Sequence, residues 1–163
     1  MMRIGNSIDI HRLKPGTSLR LGGIDIPSSV ESIGHSDGDC LIHSIAEALL
    51  GSLALGDLGT HFPDNDAQYR DIDSMILLDQ VYTRVQEKGY LLHNLDAMIV
   101  LEKPVLKPYI DSMRQAISAR LDVGIDCISI KATTGEKLGL IGEGHAVAVH
   151  TVVTVKPKQT QFL

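Results

Sequence analysis

The 163-residue chain has no tryptophan, two phenylalanines and four tyrosines, so it carries no aromatic ladder for stacking bases. It also has no basic excess or basic cluster. A formal charge of −5 argues against a nucleic-acid groove, and no nucleic-acid partner is expected. The two cysteines, Cys40 and Cys127, stand alone without a C-x-x-C partner. That excludes a disulfide framework and suggests packed thiols in a reducing compartment. No apolar run is long enough to span a bilayer, and the start has no signal-peptide pattern, so the expectation is a cytoplasmic protein with no membrane partner. If the substrate is itself an anion, an acidic chain must offset the repulsion locally, with bound cations and backbone N–H groups.

What is present is an ordinary globular composition, 44% apolar and 21% charged, at a length that suits one compact domain. Ile8 and Ile10 alternate with Asp9 and His11 as in a strand. Leu19, Leu21, Ile24 and Ile26 suggest a short hairpin around Gly22-Gly23, and residues 28–38 read as a Ser/Gly/Asp-rich loop. Helical spacing predicts one helix over about 39–54, with Ser36 and Asp37 as start signals. A second is predicted from an Asp73 or Ser74 cap to Gly89, and a third through Ile110, Met113, Ile117 and Leu121. Strands are expected at 90–102, 127–132 and 146–155; the first is apolar on both faces and therefore central, and the last is apolar on both faces except at His150. The fold class is α+β: a single-domain sandwich, residues 1–155, of a mainly β sheet layer packed on three helices, with 156–163 as a flexible tail.

The densest chemistry lies in Gly34-His-Ser-Asp-Gly-Asp-Cys-Leu-Ile-His43 together with Asp9-Ile-His11. Two residues apart on a strand, Asp9 and His11 share one side. On the following helix Asp39, His43 and Glu47 form a stripe at i, i+4 and i+8. Asp9, His11 and His43 would make a mixed nitrogen and oxygen set suited to zinc, with a fourth position left open. Each histidine alone also suits an ordinary hydrogen-bonded place in a core. The loop Gly56-Asp-Leu-Gly-Thr-His-Phe-Pro-Asp-Asn-Asp66 is either functional or simply solvated. Lys131-Ala-Thr-Thr-Gly-Glu-Lys-Leu-Gly139, at the end of a strand, reads as an ordinary turn or as a phosphate-binding one. In the second case Glu136 could hold a harder cation such as Mg²⁺. It lacks the order of a Walker A loop.

Taken together, Asp9-Ile-His11, Leu21-Gly-Gly…Ile26-Pro27, His35-Ser-Asp-Gly-Asp39…His43, Ala54-Leu-Gly-Asp-Leu-Gly…Phe62-Pro-Asp and Lys131-Ala-Thr-Thr…Glu136-Lys-Leu-Gly139 resemble the 2-C-methyl-D-erythritol 2,4-cyclodiphosphate synthases. The resemblance runs in order from about residue 3 to 155. It implies a homotrimeric enzyme of non-mevalonate isoprenoid biosynthesis with active sites between subunits. The enzyme would cyclise a cytidyl diphosphate substrate with release of CMP. By position it implies Zn²⁺ on Asp9, His11 and His43, and a second ion, Mg²⁺ or Mn²⁺, on Glu136 and the substrate phosphates. His35 and Thr134 correspond to residues that stabilise the transition state, and Ser36 to a phosphate contact. Asp57, Gly59, Phe62, Pro63, Asp64 and Asp66 correspond to the methylerythritol pocket. Val100 to Lys107, with Pro104 inside it, and Thr133 correspond to the cytidine wall, offered by the adjacent subunit.

Some positions depart from the family pattern. Gly135 stands where a third Thr is usual, which should loosen that turn, and Val105 stands where a Lys is frequent. Gly142-Glu-Gly-His-Ala146 replaces Gly-Arg-Gly-Glu-Gly, which puts an anion or isoprenoid site on the trimer axis in doubt. Glu47, an Asp in many relatives, would support a polar neighbour on the helix stripe. Two other readings remain: a metal-dependent phosphohydrolase, for which the same ligand set serves, and a non-catalytic trimeric metal-binding scaffold.

Overall fold

A computed structural model describes residues 1–34, 36–63, 66, 69 and 72–158. Strands β1 (Arg3–Pro15), β2 (Ser18–Leu21), β3 (Ile24–Pro27) and β4 (Val30–Ile33) precede helix α1 (Cys40–Ser52). Then come α2 (Leu58–His61), α3 (Ser74–Glu87), β5 (Tyr90–Val100), α4 (Ile110–Leu121), β6 (Ile128–Thr133), α5 (Gly139–Gly142) and β7 (Ala146–Pro157). Five strands form a sheet in the order β4-β1-β7-β5-β6, antiparallel except for β5 beside β6, and β2 and β3 form a separate hairpin. The architecture is α+β, with α1, α3 and α4 packed on the sheet and on each other. Among the described residues no helix is long and apolar enough to cross a membrane.

The elements differ from expectation at several places. A four-residue edge strand, β4, forms inside the predicted loop, pairing Val30–Ile33 with Arg12–Pro15. Its apolar residues sit only at its two ends, so no alternation announces it. The cap of α1 is Asp39, whose side chain accepts from Ile42 N–H. Asp37 and Ser36 lie before it. β5 ends at Val100 and β7 runs on to Pro157, after which the Lys158 N–H donates to Gly89 O. The remainder of the expected tail, residues 159–163, lies outside the described part.

The alternation predicted for β1 is present, and it is the isoleucines that face outward. Ile4, Ile8 and Ile10 are 61–70% exposed, while Gly5, Ser7 and Leu13 are buried toward the helices and Asp9 and His11 half-buried on the same side. A serine–threonine cluster fills that inner face. Ser44 Oγ on α1 donates to Thr151 Oγ1 on β7 at 2.7 Å, and Ser7 Oγ lies 2.6 Å from Ser44 O. On the opposite face Ile4, Ile8 and Ile10 are exposed, with Leu140 of the short α5 near Ile10 at the edge. The rows of that face run Ile8–His150–Met98–Lys131 and Ile10–Ala148–Val100–Thr133 across four strands.

Two glycine features place the elements. A Cβ on Gly5 would sit 1.9 Å from Ala48 O, so β1 and α1 meet with backbone against backbone. At the hairpin turn Gly22 and Gly23 both have positive φ, which a two-residue turn of this hand requires. Their N–H groups donate to Asp39 Oδ1 and Oδ2 at 2.9 and 2.7 Å. Asp39 is fully buried and belongs to this joint between hairpin and helix, not to a ligand stripe with His43.

Candidate active site

The close approach at Gly5 lays α1 along β1, and that contact brings His43 over the strand pair Asp9 and His11. Asp9 Oδ2 lies 3.1 Å from His11 Nε2 and 3.7 Å from His43 Nδ1, and the two ring nitrogens are 3.3 Å apart. Ligand atoms about 2.0–2.1 Å from a tetrahedral centre lie about 3.3 Å from each other, so this triangle has the edge length that a zinc ion needs. Among the described residues these three form the one metal-capable group of His, Cys and carboxylate side chains.

The supporting hydrogen bonds leave the three facing atoms bare. His11 Nδ1 lies 2.9 Å from Gly38 O, a carbonyl that can only accept, so Nδ1 carries the proton and Nε2 is the lone-pair atom. Asp9 Oδ1 accepts from Ile10 N–H at 2.9 Å, whereas Oδ2 is buried and accepts no well-directed hydrogen bond. A buried carboxylate oxygen without a donor is costly unless a cation compensates it, and the donor set therefore fits a metal. Burial opposes ionisation of Asp9, but the close approach of the His11 and His43 rings outweighs it and holds the carboxyl well below its usual range. Burial likewise opposes the charging of His11, and Asp9 overrides it, so His11 titrates above its ordinary value.

The triad opens into a cavity of about 300 Å³ walled by Ser36, Leu58, Gly59, Phe62, Tyr69 and Leu77. α2 supplies part of this wall. Asp57 caps it, accepting from the Thr60 N–H and hydroxyl at 2.8 and 2.7 Å, and these bonds lower its carboxyl pKa. Phe62 is buried, packed edge-on against Tyr69 at 5.3 Å with the Arg84 guanidinium 5.5 Å from its ring centre. Pro63 is exposed beside it, and Asp66 N–H donates to Pro63 O at 3.0 Å. His35 and Asp64 lie outside the described residues. Leu58, Tyr69 and Leu77 were not foreseen as wall residues, because an apolar residue near a site reads in sequence as core.

The remaining expected residues sit elsewhere. Pro104, Val105, Lys107, Thr133 and Thr134 line a second cavity of about 300 Å³, while Val100 faces the open side of the sheet. Glu136 has φ +50° and accepts from Thr134 Oγ1 at 2.6 Å. Two strands separate β1 from β6, so Asp9 and the strand leading to Glu136 are about 14 Å apart across the sheet. Within one chain the structure does not bring Glu136 to the Asp9–His11–His43 centre.

Three expectations about departures are corrected or refined. Gly135 does not loosen its turn: a Cβ there would come within 2.6 Å of Gly142 N, so the turn closes tightly on α5. Glu47 supports no neighbour on its own helix, and Glu47 Oε2 instead accepts from Leu58 N–H at 2.8 Å. Glu143 and His145 are both exposed and face each other at 3.9 Å.

Helices on one side of a mixed sheet, with an Asp–His–His centre of bare ligand atoms at a cavity wall, define an α+β protein with a metal-capable site. A family model described as the YgbB family matches residues 2–156. The 2-C-methyl-D-erythritol 2,4-cyclodiphosphate synthase of Carboxydothermus hydrogenoformans is 53% identical over 156 residues, 96% of each chain. This chain therefore belongs to the 2-C-methyl-D-erythritol 2,4-cyclodiphosphate synthase (YgbB) family. The bifunctional IspDF of Campylobacter jejuni superposes with a TM-score of 0.92 at 38% identity, covering 96% of this chain and 42% of that longer one. IspF of Plasmodium falciparum, solved as a CDP complex, gives a TM-score of 0.86 at 34% identity over 97% of both chains.

Proposed function

We propose that this chain cyclises 4-diphosphocytidyl-2-C-methyl-D-erythritol 2-phosphate to 2-C-methyl-D-erythritol 2,4-cyclodiphosphate and releases CMP. This is the work of a phosphorus–oxygen lyase in non-mevalonate isoprenoid biosynthesis, and a cytoplasmic one. The observation that carries the reading is the triangle of Asp9 Oδ2, His11 Nε2 and His43 Nδ1, with edges of 3.1, 3.7 and 3.3 Å, at the wall of a cavity. The domain is residues 1–155, and the family match over 2–156 supports it.

In the reaction an oxygen of the 2-phosphate bonds to the β-phosphorus. The bond from that phosphorus to the bridging oxygen breaks, and its electron pair leaves with CMP. Both reacting groups are anions of one molecule, so the protein must mainly orient them and cancel charge. Zn²⁺ on Asp9, His11 and His43, and Mg²⁺ or Mn²⁺ on Glu136, would supply that charge and polarise phosphate oxygens. Ser36 donates to phosphate, while His35 and Thr134 hold the transition state. Asp57, kept ionised by its Thr60 donors, accepts from substrate hydroxyls, with Gly59, Phe62, Pro63, Asp64 and Asp66 around the methylerythritol part. Val100, Pro104, Lys107 and Thr133 wall the cytidine side.

The protein works as a homotrimer. Ions held by Asp9, His11 and His43 and by Glu136 would both have to reach one diphosphate, a group far shorter than the roughly 14 Å between β1 and β6 of one chain, so the Glu136 side is contributed by a neighbour. The exposed sheet face, with Ile4, Ile8 and Ile10 on it, suits that contact. Incubation of the purified protein with the cytidyl substrate, Zn²⁺ and Mg²⁺, followed by phosphorus NMR, tests the function. Cyclic diphosphate and CMP in equal amounts are expected. Release of inorganic phosphate without a ring would make the protein a phosphohydrolase instead.

A further inference from the structure

The outer nitrogen of His43 meets two hydroxyls, one of which, on Ser74, has no part in the site chemistry above. His43 Nε2 lies 2.8 Å from Ser74 Oγ, at the first residue of α3, and 2.7 Å from Ser36 Oγ. Ser74 is fully buried, and its hydroxyl makes a short hydrogen bond to Asp37 Oδ1. Its N–H donates to the other oxygen, Asp37 Oδ2, at 3.0 Å. Asp37 also accepts from Asp39 N–H at 3.1 Å and lies 3.5 Å from Arg20 Nε. Every neighbour of the Asp37 carboxylate in this network is a donor.

The proton count then has one solution. An ionised carboxylate can only accept, so the single hydroxyl proton of Ser74 goes to Asp37. Ser74 Oγ is left with lone pairs alone toward His43, and Nε2 must carry the imidazole proton. Nδ1, the atom that faces Asp9 and His11, is thereby bare.

We infer that Asp37 and Ser74 are a positioning pair that fixes the tautomer and ring orientation of His43, acting on the metal centre through a carboxylate–serine–histidine chain. The inference rests on the metal reading of Asp9, His11 and His43. The chain joins three elements: the loop before α1, α1 itself and the start of α3. It is the counterpart on His43 of what Gly38 O does for His11. Partners that orient a ligating histidine in this way typically contribute about 10- to 100-fold to metal affinity. Ser36 plays a different part. With the Nε2 proton already committed to Ser74, its own hydroxyl proton remains available to the cavity that it lines.

The test measures zinc affinity by competition with a chelator, without substrate, for wild type, Ser74→Ala, Asp37→Asn and Ser36→Ala. Nitrogen NMR of His43 in metal-free wild type, above the ordinary imidazole range, reads the tautomer with no variant at all. The expected results are an Nε2–H tautomer in wild type and a loss of affinity of about 10-fold or more in Ser74→Ala. Asp37→Asn, which offers a donor where Ser74 needs an acceptor, should show a smaller loss and a mixed tautomer. Ser36→Ala should be little changed. An Nδ1–H tautomer in wild type, or Ser74→Ala protein that folds and binds zinc like wild type, would overturn the inference while leaving the metal site standing. Wild-type protein that binds no zinc would remove the metal reading, and this inference with it.

Discussion

Glu47, one helical turn beyond His43, holds the first N–H of α2: its Oε2 accepts from Leu58 N at 2.8 Å. The helix that carries a proposed metal ligand thus also fixes the short segment that walls the substrate cavity. Glu47→Ala leaves that N–H without its acceptor, at about 1–3 kcal/mol. KM for the cytidyl substrate should rise about 10-fold, with zinc content unchanged. Glu47→Gln retains an acceptor oxygen and should stay near wild type. Zinc loss in Glu47→Ala would show instead that the residue belongs to the metal centre.

The two proposed cation sites should separate. His43→Ala should lose the tightly bound transition metal and nearly all turnover while keeping its circular dichroism, because the core around α1 does not depend on that side chain. Glu136→Gln should weaken the Mg²⁺ or Mn²⁺ requirement and leave bound zinc intact. Metal analysis of both proteins decides it. Equal loss of both metals in either variant would mean one shared site.

Stability should respond to pH with opposite signs with and without metal. In the metal-free protein His11 titrates above its ordinary value of 6.5, since Asp9 outweighs the effect of burial. A raised histidine pKa contributes stability that is complete below 6.5 and lost as pH rises through the folded-state value. Zinc requires neutral His11, so the stabilisation it adds should grow over the same interval. Urea unfolding with chelator and with excess zinc should give slopes of opposite sign, and His11→Gln should flatten both. Parallel slopes would contradict the site.

The exposed sheet face should be needed for assembly but not for folding of one chain. Ile8 is 70% exposed, so Ile8→Asp costs an isolated chain almost nothing. In a trimer it would bury an unpaired carboxylate in every copy, at about 3 kcal/mol or more each. Light scattering should then report a monomer with native circular dichroism and little turnover. A trimeric Ile8→Asp protein would move the contact elsewhere.

The proposed metal ligands were legible because their chemistry is dense and their periods are simple, two residues apart on β1 and one His on the next helix. The open face was not legible, because the two-sided apolar character of β5 and β7 reads equally as burial within one chain. What could not be read was tertiary in origin. Asp39 falls on the same helical stripe as His43, yet the turn at Gly22-Gly23 claims both of its oxygens. Asp37 and Ser74 read only as start signals of two different helices, because nothing local reveals that the start of α3 lies against His43. Gly135 read as slack because its backbone neighbour, Gly142, is seven positions away. β4 was missed because an edge strand is defined by its partner, β1, more than by its own four residues.

The joint at Asp39 braces the helix that carries His43 from outside the cluster of ligand residues. Its fully buried carboxylate takes two of its three backbone donors from the turn at Gly22-Gly23, so a hairpin pulled away would leave Oδ2 with no donor at the head of α1. The upstream hairpin, which contributes no ligand, thereby anchors the end of the element on which one proposed ligand stands.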